Sequence, residues 1–168
     1  MTMRFEGRVR RFRDHVNTDY IIASRRKRDT LDEAVLRQYI FEAIDPAFAQ
    51  SIEAGDILVA GRNFGCGSAM EIAATVLLAA GFPVVVAESF ARSFFRNAVN
   101  NGLMPVIMAT AGCLEGDRII LDASETGVTL RNERTGVLVH GPALPGSMAA
   151  ILAAGGLVPY VRRHGRLL

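Results

Sequence analysis

A chain of 168 residues is long enough to bury one hydrophobic core and short for two domains. Half of the residues are hydrophobic and 21% are charged, which excludes an intrinsically disordered chain. The formal net charge of +2 is too small to indicate nucleic-acid binding. We therefore expect a globular protein without a nucleic-acid partner.

The two cysteines, Cys66 and Cys113, make no disulfide framework and cannot hold a metal cluster without other ligands. Such a count suits the reducing cytoplasm, and the N-terminus has no apolar core like that of a signal peptide. The longest apolar tract, residues 72–87, is broken by Gly81 and Pro83. It predicts a core helix followed by a core strand, and no membrane span.

Alternating residues predict a first strand over residues 5–12 with one face in water. A polar cluster follows, in which Asp14 and Asp19 either orient a catalytic group or hold an Asx-type turn. The residue types alone favour the turn.

Residues 25–28 are four consecutive cations, and Lys27 among them is the only lysine of the sequence. They fit a solvated loop, a nuclear-localisation-like patch or a grip for a carboxylate. Arginine suits the last role because its planar fork holds a carboxylate through two parallel hydrogen bonds.

A helix is predicted to begin at Thr30, the expected cap, with acidic residues in its first turn. Its expected apolar face contains Leu31, Val35, Leu36 and Tyr39. A second short helical piece is expected near Phe48, before a buried strand at residues 56–60.

A glycine-dense turn joins that strand to a predicted helix over residues 70–80. Gly61, Gly65 and Gly67 are expected to adopt positive φ and turn backbone amides toward a bound anion. No GKS or GKT follows, which excludes a Walker A loop and weakens a phosphate-binding module, and a dinucleotide fingerprint fits poorly because Met70 replaces its third glycine.

Ser68 has two interpretations. It forms an SxxE capping box with Glu71, so its hydroxyl could simply satisfy an amide of the first helical turn. Alternatively, a serine at a helix N-terminus among amide donors has its alkoxide stabilised and acts as a base on an anionic substrate. Spacing alone favours the cap.

The rest of the chain predicts more strands and helices. Residues 84–87 form a buried strand, 89–102 a helix closed by Gly102, and 103–108 another strand. Three short strands over residues 117–122, 127–131 and 136–140 predict an antiparallel meander. A final helix over residues 147–155 is followed by a stop at Gly156 and a basic tail. Together these elements predict a single α/β domain.

Five stretches, in order, resemble the aconitase swivel-domain family, which includes the small subunits of 3-isopropylmalate dehydratases. Residues 63–71 resemble its NFGCGSSRE loop, residues 17–22 its TDxII segment, and residues 56–61 its GDIIVAG strand. Residues 89–105 resemble its SFARIFxxNxxNxGLxP block and residues 153–157 its AGGL sequence. The resemblance covers nearly the whole chain and now favours Ser68 as more than a cap.

The resemblance implies an α/β fold in which residues 1–168 form one swivelling β/β/α domain with a mixed central sheet or barrel. It implies the small subunit of a heterodimeric hydro-lyase of leucine biosynthesis, which converts 3-isopropylmalate and 2-isopropylmalate into each other via isopropylmaleate. In this family a [4Fe–4S] cluster on the large subunit polarises the departing hydroxyl, and a swivel-domain serine takes the C–H proton. This chain would then bind no cofactor and supply half of an active site.

The same resemblance assigns the site residues of this chain. Ser68 would be the catalytic base. Substrate binding would involve Arg25, Arg28, Gly65, Cys66 and Gly67. Supporting roles would belong to Asp19, Asn63 and Glu71. Cys66 matches a family position that is not a ligand, so no metal ligand is expected here.

Two departures from the family pattern concern the substrate. Ala69 and Met70 replace a serine and an arginine, and the family arginine contacts a substrate carboxylate. Arg26 and Lys27 replace an apolar pair in the recognition loop. A cationic pair suits an additional carboxylate or hydroxyl, so we hypothesise a substrate more polar than 3-isopropylmalate.

Two alternatives remain beside the leading interpretation. One is a paralogous subunit for dimethylmalate, homoaconitate or a citrate-like acid. The other is a non-catalytic assembly module or an RNA-binding module, in which residues 25–28 bind a polyanion.

Overall fold

The structure, a computed structural model, describes residues 2–166. Its centre is a seven-stranded sheet in the order β4-β3-β2-β1-β5-β6-β7. The strands are β1 (Met3–Arg11), β2 (Ile57–Ala60), β3 (Val84–Ala87), β4 (Met104–Ile107), β5 (Arg118–Ser124), β6 (Gly127–Asn132) and β7 (Leu138–Gly141).

Strand β1 joins a parallel half of the sheet to an antiparallel half. It pairs in parallel with β2, where Val9 lies opposite Ile57, and antiparallel with β5, where Phe5 lies opposite Leu121. Strands β2 and β3 are buried at every position, as expected for uniformly apolar runs covered on both faces. The predicted mixed sheet and the antiparallel meander are both confirmed.

Six α-helices connect or cover the strands within residues 2–166. They are α1 (Thr18–Ile21), α2 (Glu33–Leu36), α3 (Ile72–Ala80), α4 (Arg92–Asn101), α5 (Gly146–Ala153) and α6 (Leu157–His164). Short 3₁₀ helices occupy Ser24–Arg28, Arg37–Tyr39 and Phe48–Ser51. No helix in this part of the chain is both long and apolar enough to cross a membrane.

Two helix predictions are wrong in detail. Asp32, not Thr30, caps α2, because its carboxylate accepts from the Ala34 amide at 2.9 Å. Leu31 is therefore outside the helix and 70% exposed. The predicted basic tail after Gly156 is instead helix α6, which anchors on the buried ring of Tyr160.

The sheet curves until its two edges approach each other. A Cβ added to Gly141 in β7 would lie 3.0 Å from the carbonyl oxygen of Ile107 in β4. Two apolar clusters result, one inside the curved sheet and one between the parallel strands and their helices. This nearly closed arrangement agrees with the predicted mixed sheet or barrel.

The parallel strands position the candidate site. Because β1, β2 and β3 run in the same direction, the loops that follow them emerge at the same edge of the sheet. These loops contain the polar cluster after β1, the glycine-dense turn after β2 and the start of the SFAR sequence after β3.

A polar network supports the meander away from that edge. The buried carboxylate of Asp117 accepts from Arg134, from the side chain of Asn132 at 2.7 Å and from the amide of Leu114 at 2.9 Å. These donors, with Arg134 foremost, hold the pKa of Asp117 well below its usual range.

We expect Asp117→Asn to lower the free energy of unfolding by about 1–3 kcal/mol at pH 7, because the charged acceptor of several hydrogen bonds is lost. The folded-state pKa lies below the unfolded one, so this stabilisation is present at neutral pH and is lost as the pH falls below about 4. Urea unfolding of both proteins between pH 3 and 7 measures this. Asp122→Asn is the control, since its exposed pair with Arg4 should contribute little. A loss for Asp117→Asn that stayed constant with pH would contradict the assignment.

Candidate active site

The glycine-dense turn lies between the other two loops and is held by backbone hydrogen bonds on both sides. On the side of the polar cluster, the Gly65 amide donates to the carbonyl of Val16 and the Thr18 amide to the carbonyl of Cys66, both at 2.8 Å. The Arg62 amide donates to the carboxylate of Asp14 at 2.7 Å. Asp14 therefore joins two loops.

On the other side, Phe64 anchors the turn to the segment after β3. Its amide donates to the carbonyl of Ser89 at 3.0 Å, and its carbonyl accepts from the Ala91 amide at 2.9 Å. Its buried ring contacts Phe90 and Phe94 edge-on. Phe64 and Phe94 belong to the buried apolar cluster, and Phe90 packs against it.

Two glycines of the turn are required by both conformation and space. Gly65 has φ +78°, and a Cβ there would lie 2.2 Å from the Phe94 ring. Gly67 has φ +92°, and a Cβ there would lie 2.5 Å from the Asn17 side chain. Positive φ was predicted correctly at these positions.

The same prediction is wrong for Gly61, which is outside the positive-φ set. Glycine is required at position 61 because the backbone approaches the Asp14 side chain closely, and an added Cβ would overlap the Asp14 carboxylate. The backbone thus passes directly beside the side chain that binds the next amide.

Ser68 lies on the exposed part of the turn, and Glu71 is exposed as well. The predicted capping box is wrong, because α3 begins at Ile72 with Glu71 as an N-cap that makes no side-chain hydrogen bond. The carbonyl of Ser68 accepts from the Thr18 hydroxyl at 2.9 Å. Its own hydroxyl has no hydrogen-bond partner among residues 2–166 and is available to a ligand.

Unpaired backbone amides flank Ser68 along the chain. The amides of residues 67–71 donate to no other atom of residues 2–166, which leaves them available to an anion. Gly67 and Ser68 belong to this stretch, whereas Cys66 pairs with Asn17 in an isolated parallel bridge. The turn can therefore bind an anionic ligand through backbone amides, without a cationic side chain in the turn itself.

The side chains of Asn63 and His15 contact each other. The sequence indicated a role for Asn63 but not for His15. Both adopt positive φ, +56° and +57°, and their side-chain nitrogens are 3.1 Å apart. Positive φ in non-glycine residues costs free energy and is enriched at functional sites. Residue periodicity gave no signal for it.

Asp19 organises the start of the basic segment. Its carboxylate accepts from the Ser24 amide at 3.0 Å and from the Ser24 hydroxyl at 2.5 Å. Its own amide donates to the side chain of Asn17, the N-cap of α1. Asp19 thus holds a turn, the interpretation favoured by sequence, and its hydrogen bonds are to Ser24 and Asn17, not to Ser68.

Glu42 binds two of the four cations. Arg26 donates to both of its carboxylate oxygens, at 3.0 and 2.6 Å, and Arg25 donates to one at 3.0 Å. The hydrogen bond from Arg26 is the main reason that the pKa of Glu42 is lowered. The Arg26 guanidinium also lies 3.7 Å from the centre of the Tyr39 ring. Arg26 is therefore fully engaged by the protein.

The other two cations differ from this pair. Arg28 is exposed and has no ion pair or hydrogen bond among residues 2–166. Lys27 is partly buried, with its ammonium nitrogen 2.9 Å from the sulfur of Met70. Lys27 and Met70 both depart from the family pattern, and the structure brings them into contact. Their shared departure was the one feature of the sequence that pointed to this contact.

No cluster of three or more His, Cys, Asp or Glu side chains within residues 2–166 is arranged to hold a metal ion. Both cysteines are unpaired, and burial raises the pKa of the Cys113 thiol. The donors of this chain therefore do not suit an iron–sulfur cluster.

Residues 8–111 match the model of the aconitase C-terminal domain family. The chain belongs to this family. The aconitase-family assignment agrees with the solved structure of a 3-isopropylmalate dehydratase from Methanocaldococcus jannaschii, which superposes with a TM-score of 0.88 at 37% identity. That match covers 97% of this chain and 96% of the other, and it confirms the swivel-type fold.

Aconitase-family relatives with similar sequences are small subunits of dehydratases or isomerases. The 3-isopropylmalate dehydratase small subunit of Desulfovibrio desulfuricans is 46% identical, over 96% of this chain and 98% of its own. From M. jannaschii, the isopropylmalate/citramalate isomerase small subunit is 43% identical, over 94% of each chain. The methanogen homoaconitase small subunit of that organism is 38% identical, over 96% of this chain and 94% of its own.

Proposed function

We propose that this chain is the small subunit of an iron–sulfur-dependent hydro-lyase of leucine biosynthesis that interconverts 3-isopropylmalate and 2-isopropylmalate via isopropylmaleate. The observation that carries the proposal is the Ser68 hydroxyl, which is exposed, has no hydrogen-bond partner among residues 2–166 and is flanked by the unpaired amides of residues 67–71. Relatives of nearly the same length carry that activity in their names.

In the proposed reaction, Ser68 accepts the proton from the carbon next to the departing hydroxyl. A serine requires electrostatic help to act as a base near neutral pH, and the unpaired amides of residues 67–71 offer it. Gly65, Cys66 and Gly67 shape the backbone that contacts the substrate. Arg25 and Arg28 are proposed to bind carboxylate oxygens.

The large subunit is the proposed partner, and a [4Fe–4S] cluster bound there would act as the Lewis acid. Support comes from the relatives that are named small subunits, and from the donors among residues 2–166, which do not suit a cluster. Because Ser68 is exposed, a second protein could cover it and complete a cavity.

We further propose that residues 1–168 move as one swivel unit in a cytoplasmic heterodimer. One seven-stranded sheet contains strands from both halves of the sequence, which supports a single unit. The unpaired cysteines fit a reducing compartment.

The substrate is proposed to be 3-isopropylmalate rather than a more polar acid. The earlier hypothesis of a more polar substrate used Arg26 and Lys27 as a free cationic pair, but Glu42 binds Arg26 on two oxygens. The same ion pair weakens the RNA-binding alternative.

The test is turnover by the anaerobically reconstituted pair of this chain and its large subunit. We expect kcat/KM for 3-isopropylmalate to exceed that for homoaconitate and citrate by at least about tenfold. The isopropyl group would gain a few apolar contacts, whereas the third carboxylate of the other acids would lack a cationic partner. Neither subunit alone should be active. Faster turnover of a tricarboxylate, or none of any hydroxy acid, would contradict the proposal.

A further inference from the structure

The Lys27 ammonium lacks a negative partner. It is partly buried, and its hydrogen-bond acceptor is the thioether sulfur of Met70 at 2.9 Å. A thioether is a weak acceptor that carries no charge. No carboxylate of residues 2–166 lies within ion-pair distance of Lys27. A partly desolvated cation of this kind favours an anion from outside the chain.

The neighbouring cations are not equivalent to it. Arg25 and Arg26 both donate to the carboxylate of Glu42, so each has an acidic partner. Arg28 is exposed, where water solvates its charge. Within the basic segment, Lys27 is thus the partly buried cation without an acidic partner among residues 2–166.

Lys27 also reaches the turn that carries Ser68. Met70 follows Ser68 by two positions and is 6% exposed, so its sulfur is a fixed point of the turn. The Ser24 hydroxyl approaches the same sulfur at 3.7 Å. Met70 therefore connects the basic segment to the amide-rich part of the turn.

We propose that Lys27 binds one carboxylate of the substrate, leaving the Met70 sulfur when the substrate enters. This inference rests on the proposed function and names a specificity residue of that site. An ammonium on a flexible four-carbon stem can move from a weak sulfur contact to a charge-assisted hydrogen bond. The gain of that bond favours the bound state.

The substrate class follows from the number of cations. Met70 stands where the resemblance places an arginine. The positive charge beside this position is supplied by the ammonium of Lys27, which contacts the Met70 sulfur. One cation is lost at position 70 and one without an acidic partner is gained at position 27. This exchange supports a dicarboxylate with an uncharged third substituent as the substrate.

The first test is Lys27→Met in the reconstituted enzyme. We expect KM for 3-isopropylmalate to rise about 10- to 100-fold with a smaller change in kcat, since a charge-assisted contact to the bound carboxylate is lost. Arg163→Met removes an exposed cation from α6 and should change neither constant. An unchanged KM for Lys27→Met would overturn the inference.

The second test moves the cation back. Met70→Arg alone should lower kcat/KM, because it places a guanidinium against the Lys27 ammonium. Lys27→Met combined with Met70→Arg should recover kcat/KM to within about tenfold of the unchanged enzyme, as expected for strongly coupled neighbours. A double variant no better than Lys27→Met would overturn the cation balance.

The third test observes Lys27 directly, without turnover. Lys27 is the only lysine, so reductive methylation of this chain with ¹³C-formaldehyde labels one side chain and the α-amine. The α-amine has a lower pKa than the lysine, which separates the two NMR signals. After assembly with an unlabelled large subunit, 3-isopropylmalate should shift the lysine signal saturably, and should do so in the Ser68→Ala complex too. No shift would overturn this inference. Full turnover by Ser68→Ala would instead overturn the base proposed above, so the two failures are distinguishable.

Discussion

Ser68→Ala should lower kcat for 3-isopropylmalate by about 10²–10⁴-fold, the range that a positioned general base contributes, and leave KM nearly unchanged. The hydroxyl has no protein partner to lose, and the backbone of the turn is held by bonds to Thr18 and Val16 that the variant retains. Anaerobic steady-state kinetics of the reconstituted pair measure the effect.

The control is Ser147→Ala, which removes an exposed hydroxyl from the first turn of α5. It should leave kcat and KM unchanged. Association with the large subunit, followed by analytical ultracentrifugation, should be the same for both variants. A Ser68→Ala enzyme with normal kcat would remove Ser68 from the mechanism, and one that failed to associate would make it an interface residue.

Gly65→Ala should cause the largest loss of stability in the candidate site. The new methyl group would meet the Phe94 ring at 2.2 Å while the backbone stays at φ +78°. Left-handed φ costs about 1–3 kcal/mol in a non-glycine residue and overpacking about 1–3 kcal/mol more. We therefore expect the free energy of unfolding to fall by about 2–6 kcal/mol in urea titrations.

Gly116→Ala separates the two contributions. Gly116 has a similar φ of +83°, but no atom lies within 4 Å of the added Cβ. This variant should show the backbone cost alone, about 1–3 kcal/mol. Equal losses for the two variants would mean that the Phe94 ring moves aside and that contact with it does not fix the turn.

The elements that the sequence predicted best are those specified by neighbouring residues in the chain. Strand β3 is a run of β-branched residues and was predicted with its correct ends. Helix α4 ends where Gly102 adopts φ +86°, as the glycine indicated. The turn containing Ser68 was found because several glycines follow a buried strand.

The predictions that failed depended on contacts between distant residues. The spacing of Ser68 and Glu71 fits a capping box, but the Thr18 hydroxyl binds the Ser68 carbonyl from 50 residues away and α3 starts later. Glu42 lies 16 residues from Arg26, and nothing local indicates that it binds this cation in preference to any other. Tertiary packing decides such pairs.

The hydrogen bonds of Gly65 and Phe64 have a consequence for assembly. These bonds fasten the turn to two neighbouring loops in the subunit itself. The bound geometry is thus preorganised, and docking of a companion protein need not spend association energy on ordering this backbone. Under the proposed swivel motion, Ser68 should therefore keep its place relative to Phe64.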